Sequence, residues 1–128
     1  MSPAAILVVE DNERNLKLVR AVLEHAGYEV RAAGTAEEGV ATALAAPPDL
    51  VLMDLQLPGM DGISALGALR ADPATAGVPV VALTALAMPH DRERVDRAGF
   101  DGYLEKPISV RDLAAQVQAF LDRRGGTA

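Results

Sequence analysis

The sequence predicts an α/β domain built on a doubly wound, five-stranded parallel sheet with helices on both faces. Two observations lead there. Short apolar runs alternate strictly with longer segments whose apolar residues recur at helical spacing. The central runs also lack the polar alternation of a half-solvated sheet, as strands covered on both faces should. A chain of 128 residues can bury one such core, and it reads as a single domain with its core at about 4–122 and a flexible tail at 123–128.

The first strand is AILVV (5–9), followed by a helix over 12–26 with Leu16, Val19, Leu23 and Ala26 on one face. Gly27 stands where that helix should stop. YEVRA (28–32) is the second strand, and Thr35-Ala-Glu-Glu38 has the capping-box pattern of a second helix start. DLVLM (49–53) and VPVVAL (78–83) are strands three and four, with a turn through Pro58 and Gly59 and a third helix between them. The fourth helix, from Pro89 to Ala98, has few apolar anchors besides Val95 and Ala98, and Gly99 ends it. GYLE (102–105) is the fifth strand. Ser109-Val-Arg-Asp112 is a second capping-box pattern, opening a helix that carries Leu113, Val117, Phe120 and Leu121 on one face.

Composition excludes several functions. No apolar run approaches the roughly 18–20 residues of a membrane span, and no secretory leader pattern is present, so a cytoplasmic protein is expected. Without cysteine there is no disulfide framework, thiolate nucleophile or cysteine metal site. A net charge of −6 argues against a broad nucleic-acid or anionic-membrane surface. Two Tyr, two Phe and no Trp leave no stacking platform for single strands. His25 and His90 read as solvated helix residues.

Ligands of an open parallel sheet bind beyond the carboxyl ends of its strands. Strand one ends in Glu10-Asp11, strand three in Asp54, strand four in Thr84 and strand five in Lys106-Pro107; only strand two ends without reactive chemistry, in Ala32-Ala33. Carboxylates gathered there repel: a like-charged pair about 5 Å apart costs on the order of 3 kcal/mol at an effective dielectric near 20. Protonation or a cation must relieve that. Oxygen-only ligands favour a hard ion, Mg²⁺ or Mn²⁺. Lys106 offers a compact charge for Asp54 and then for a phosphoryl oxygen, and Thr84 offers a hydroxyl donor. Kept ionised by a metal and a lysine, Asp54 suits nucleophilic attack on phosphorus.

The set VVEDN (8–12), LMDLQLPGMDG (52–62), ALTA (82–85) and YLEKP (103–107) resembles the receiver domain of bacterial two-component response regulators, over residues 4 to about 122. The stretch 83–109 is similar to stand-alone receivers of the DivK type, the cell-cycle and polarity regulators. The resemblance implies a flavodoxin-like (CheY-like) fold with strand order 2-1-3-4-5. It implies that Asp54 accepts a phosphoryl group from a histidine kinase or phosphotransfer protein. It further implies that Asp11, Asp54 and the backbone carbonyl of Gln56 bind Mg²⁺, with Glu10 acting through water. Thr84 and Lys106 would hold phosphoryl oxygens, Tyr103 would rotate inward as Thr84 moves, and Lys106-Pro107 would be cis. Glu10 stands where many members have Asp, and Gln56 and Leu86 flank the water path to the acyl phosphate.

Three other readings compete. A metal-dependent phosphatase of the haloacid-dehalogenase type would need a second Asp where Gln56 stands. A flavin or nucleotide binder would need a Gly-, Ser- or Thr-rich loop after strand one, but EDNERN (10–15) is anionic. A receiver-shaped docking module that never takes phosphate does not need the intact Asp54, Thr84 and Lys106 set. The expected function is therefore a phosphoacceptor switch, not an enzyme. It would work through the face formed by helix four, strand five and helix five (roughly 87–122) on a separate effector, as a monomer or weak homodimer.

Overall fold

Five parallel strands lie in the order β2-β1-β3-β4-β5: β1 (Ala5–Val9), β2 (Glu29–Ala33), β3 (Leu50–Asp54), β4 (Val80–Thr84) and β5 (Gly102–Glu105). Five helices connect and follow them: α1 (Glu13–His25), α2 (Ala36–Ala45), α3 (Gly62–Ala71), α4 (Pro89–Ala98) and α5 (Leu113–Gly126). The computed structural model describes residues 3–55, 62–85 and 89–126.

Successive strand residues point to opposite faces, so each central strand feeds two cores. Leu7, Val9, Val51, Met53, Val80 and Ala82 pack with Ala65, Leu66 and Leu69 of α3 and Val95 of α4. Ile6, Val8, Leu50, Leu52, Val81 and Leu83 pack with Val19 and Leu23 of α1 and Leu113 and Val117 of α5. This double burial explains the unbroken apolar runs.

The helix ends follow local chemistry. Asn12 caps α1 by accepting from Asn15 N at 3.0 Å, and Gly27 follows with φ 97°. Ala26, expected on the apolar face of α1, is instead its exposed C-cap. Thr35 Oγ1 accepts from Glu38 N at 3.1 Å, whereas the Glu38 carboxylate reaches Gly34 N, one residue before the cap. Ser109 accepts from Asp112 N at 3.3 Å but closes a turn, and α5 begins only at Leu113. At its other end α5 continues through Gly126. In α4, Val95 is buried and Ala98 partly so, and Gly99 follows with φ 98°.

Register brings the reactive strand ends level. Val9 pairs with Met53, Asp54 with Leu83 and Thr84 with Glu105. Glu10, Asp54, Thr84 and Lys106 therefore line one edge. Asp54 and Thr84 lie inside their strands, one residue further than the apolar runs suggested, because Leu55 N and Lys106 N continue the ladder to Leu83 O and Thr84 O.

Candidate functional site: an acidic corner with a lysine

At the end of β3, Asp54 is 1% exposed, and the Lys106 ammonium sits 2.8 Å from its Oδ2. Glu10, which extends β1 by donating its N–H to Ala33 O, is equally buried. Its Oε2 lies 3.2 Å from Lys106 Nζ, and its Oε1 accepts from Asn12 N at 3.1 Å. Asp11 is exposed. One oxygen from each of Glu10, Asp11 and Asp54 falls within 4.8 Å of the others. Thr84 is buried next to Lys106, whose N–H donates to the Thr84 carbonyl at 2.9 Å. The Lys106–Pro107 bond is cis.

Backbone placement matters as much as the side chains. A Cβ at Gly62, the first residue of α3, would lie 3.1 Å from the Asp54 carbonyl and 2.8 Å from Leu55 Cδ2. Glycine there lets α3 start against the strand that carries Asp54.

The charges perturb one another. Burial, and then the adjacent Asp54, raise the Glu10 carboxyl above its usual range despite the opposing Asn12 N–H and Lys106. Burial alone would lower Lys106, but its bonds to Asp54 and the charges of Asp54 and Glu10 outweigh it, so the ammonium is held more firmly protonated. Two buried carboxylates and an exposed third, with no histidine or cysteine beside them among the described residues, fit a hard divalent ion that keeps much of its water. The exposed acid leaves that side open to solvent.

Tyr103 is half-buried against the α3–α4 side of the core. With Pro107, Ile108, Ser109 and Gln116 it lines a cavity of about 360 Å³ between β5 and α5. Gln56 and Leu86 lie outside the described residues. Sequence reasoning missed the Glu10–Lys106 contact and the role of Gly62. The first depends on side-chain reach, and the second on how closely α3 approaches β3.

Fold and site together define an open, doubly wound α/β domain whose carboxyl edge carries an acidic corner and a lysine. The chain belongs to the response regulator receiver domain family, whose sequence model matches residues 6–118. The polar-differentiation response regulator DivK of Brucella anthropi is 39% identical over 119 residues, spanning 93% of this chain and 97% of that protein. A CheY-like receiver domain protein of Methanospirillum hungatei superposes with a TM-score of 0.88 at 33% identity, covering 99% of this chain and 100% of the other. The receiver domain of a Pseudomonas aeruginosa sensor histidine kinase, solved with magnesium coordinated in its active-site cleft, gives 0.83 at 38% identity, covering 97% and 98%. The protein is thus a DivK-like receiver, consistent with two-component signalling. Among the described residues, no helix is long and apolar enough to cross a membrane.

Proposed function

We propose that this protein is a single-domain, phosphorylation-controlled interaction switch whose phosphoacceptor is Asp54. A histidine kinase or histidine phosphotransfer protein donates the group. An Asp54 oxygen forms the new bond to phosphorus as the P–N bond of the partner's phosphohistidine breaks. The bonding pair returns to the imidazole nitrogen, which takes a proton from solvent. Asp11, Asp54 and the Gln56 carbonyl would hold Mg²⁺, or Mn²⁺ in its place, with Glu10 acting through water. When bound, that ion neutralises the acids and the charge developing on the phosphoryl oxygens.

The chain's own residues do the rest. Lys106 already lies over Asp54 and passes from the carboxylate to a phosphoryl oxygen, a charge-assisted contact. The Thr84 hydroxyl donates to another oxygen, and Tyr103 follows the movement of the strand-four end. The α4-β5-α5 face then changes its affinity for a separate effector, or for a second copy, because one of two conformations binds better. The same chemistry supports self-phosphorylation from small donors such as acetyl phosphate, and slow autodephosphorylation. The setting is the cytoplasm, with recruitment to a polar or kinase-associated site.

One observation carries this reading: a buried aspartate at a strand end, held by a lysine and crowded by two further acids. Incubation with acetyl phosphate and Mg²⁺, followed by intact mass spectrometry, tests it. One phosphoryl group should appear on the wild type and none on Asp54→Asn. Uptake that survives the substitution overturns the assignment.

A further inference from the structure

Arg70, in the last turn of α3, lies at the amino edge of the sheet, opposite the acidic corner. Its Nη1 donates to Val78 O at 2.7 Å and to Ala76 O at 3.1 Å. Its Nη2 donates to Asp101 Oδ2 at 2.8 Å and to Gly99 O at 3.3 Å. The Asp101 carboxylate in turn accepts from Val80 N at 2.7 Å. One side chain thus joins the approach to β4, the end of α4 and the approach to β5. An ion pair whose partners are 30% and 44% exposed contributes little by itself. The planar fork contributes more, because its donors are fixed in direction and hold the carbonyls they meet at a fixed spacing.

The two ends of α4 stand in different surroundings. Gly99 follows the helix at φ 98°, and its N–H donates to Asp96 O at 3.2 Å. Val95 is buried, Ala98 is partly buried, and Phe100 just beyond is buried too. The C-terminal end is therefore seated in the core by side chains and fastened to Arg70 by the next carbonyl. The other end, at Pro89, comes shortly after Thr84 in the chain, on the side of the acidic corner.

We infer that Arg70 is a positioning residue that pins the C-terminal end of α4, making the helix a lever that swings about Gly99. The inference rests on the function proposed above and specifies which part of the effector face responds. When the end of β4 rearranges around a phosphoryl group, the pinned end stays and displacement grows toward Pro89. A helix of this length spans about 15 Å, so a tilt of about 5° at the pin carries the far end about 1.3 Å. An effector that distinguishes the two states reads the Pro89 half of α4, while the Gly99 half serves as a fixed reference.

Two NMR measurements on the full chain test the pin. Without ligand, amide hydrogen exchange at Gly99 and Asp101 should quicken about 10-fold in Arg70→Ala, because their bonds open locally once the fork is gone. Ala46 N, bonded to Thr42 O at the matching end of α2, should change less than about 2-fold. With saturating Mg²⁺ and beryllofluoride, a phosphoryl mimic, amide shift changes in the wild type should be at least about 3-fold larger over 90–93 than over 97–99, as for a lever. In Arg70→Ala the changes should spread into 97–99, bringing that ratio below about 1.5. Arg70→Lys keeps a charge beside Asp101 but not the fork, so it should fall between the two on both measures. Urea midpoints identify a variant that fails to fold, and the lysine variant then carries the comparison. Equal quickening at Gly99 and Ala46 overturns the pin, and so does an unchanged ratio in a folded variant. Failure of the wild type to bind beryllofluoride would remove the phosphoacceptor reading, and the exchange rates would still decide the pin.

Discussion

Replacing Asp54 by Asn takes one charge out of a group in which attraction and repulsion nearly balance. Lys106 at 2.8 Å attracts the carboxylate by about 6 kcal/mol at an effective dielectric near 20. Glu10, within 4.8 Å, repels it by about 3 kcal/mol on the same scale, and Asp11 adds to the repulsion. Asp54 is also 1% exposed, and burying a carboxylate costs several kcal/mol in lost hydration. The costs match or exceed the attraction. Without metal, Asp54→Asn should therefore unfold within about 2 kcal/mol of the wild type, and on the more stable side.

Metal reverses the order of benefit. At roughly ten times its dissociation constant, Mg²⁺ stabilises the wild type by about 1.4 kcal/mol, and the Asn variant should gain less. Urea unfolding at neutral pH, with EDTA and then with Mg²⁺, measures both quantities. Acid gives a second check. Glu10 is raised by burial and then by Asp54, so its contribution is full below its unfolded value and lost as pH rises through the raised one. Metal-free wild type should thus gain stability on mild acidification, and Asp54→Asn should gain less. A metal-free loss above about 3 kcal/mol in the Asn variant would show that the lysine dominates and that the corner is not repulsive.

Two further perturbations test the packing. A Cβ at Gly102 would overlap the Phe120 ring, so Gly102→Ala should cost about 1–3 kcal/mol by urea unfolding, and Phe120→Leu should restore part of it. Tyr28 donates its hydroxyl to Gln118, and Tyr28→Phe should cost about 1 kcal/mol near neutral pH. Burial, then the charge of Asp122, raises the Tyr28 phenol, so its stabilisation is complete below about pH 10 and fades as pH climbs through the raised value. The gap between wild type and Tyr28→Phe should narrow there.

Much of this was legible in the chain because parallel sheets separate the apolar from the reactive. Runs such as LVLM and VVAL are buried on both faces, and the first polar residue beyond each run marks the carboxyl edge, where open parallel sheets generally bind their ligands. The apolar anchors of α4 were legible too, since among its described side chains Val95 and Ala98 are those that reach the core. Other features depend on reach, which spacing does not encode. Nothing in VVEDN says that Glu10, not the exposed Asp11, turns inward to Lys106. Nor does spacing show that Gly102 makes room for Phe120. The Ser109 pattern misled about the start of α5 because a capped turn and a capped helix share their first hydrogen bond.

The two edges of the sheet are held by different kinds of contact. At the amino edge, Asp101 exchanges bonds with Val80: its N–H donates to Val80 O at 2.8 Å, and its Oδ2 accepts from Val80 N at 2.7 Å. Arg70 joins this point, donating to Asp101 Oδ2, Val78 O, Ala76 O and Gly99 O, so α3 and the end of α4 are tied to the start of β4. On the same edge Ala5 N donates to Asp49 Oδ2 at 2.7 Å. These ties run largely to backbone atoms, whose partners a ligand at the opposite edge does not replace. At the carboxyl edge, by contrast, Lys106 is held by two carboxylates, and under the function proposed above an incoming phosphoryl group would offer it equivalent oxygens. Rearrangement is therefore cheap where charge meets charge and costly where side chains lock the backbone. Under the proposed function, that asymmetry would let one end of a small sheet respond to phosphorylation while the other keeps its register.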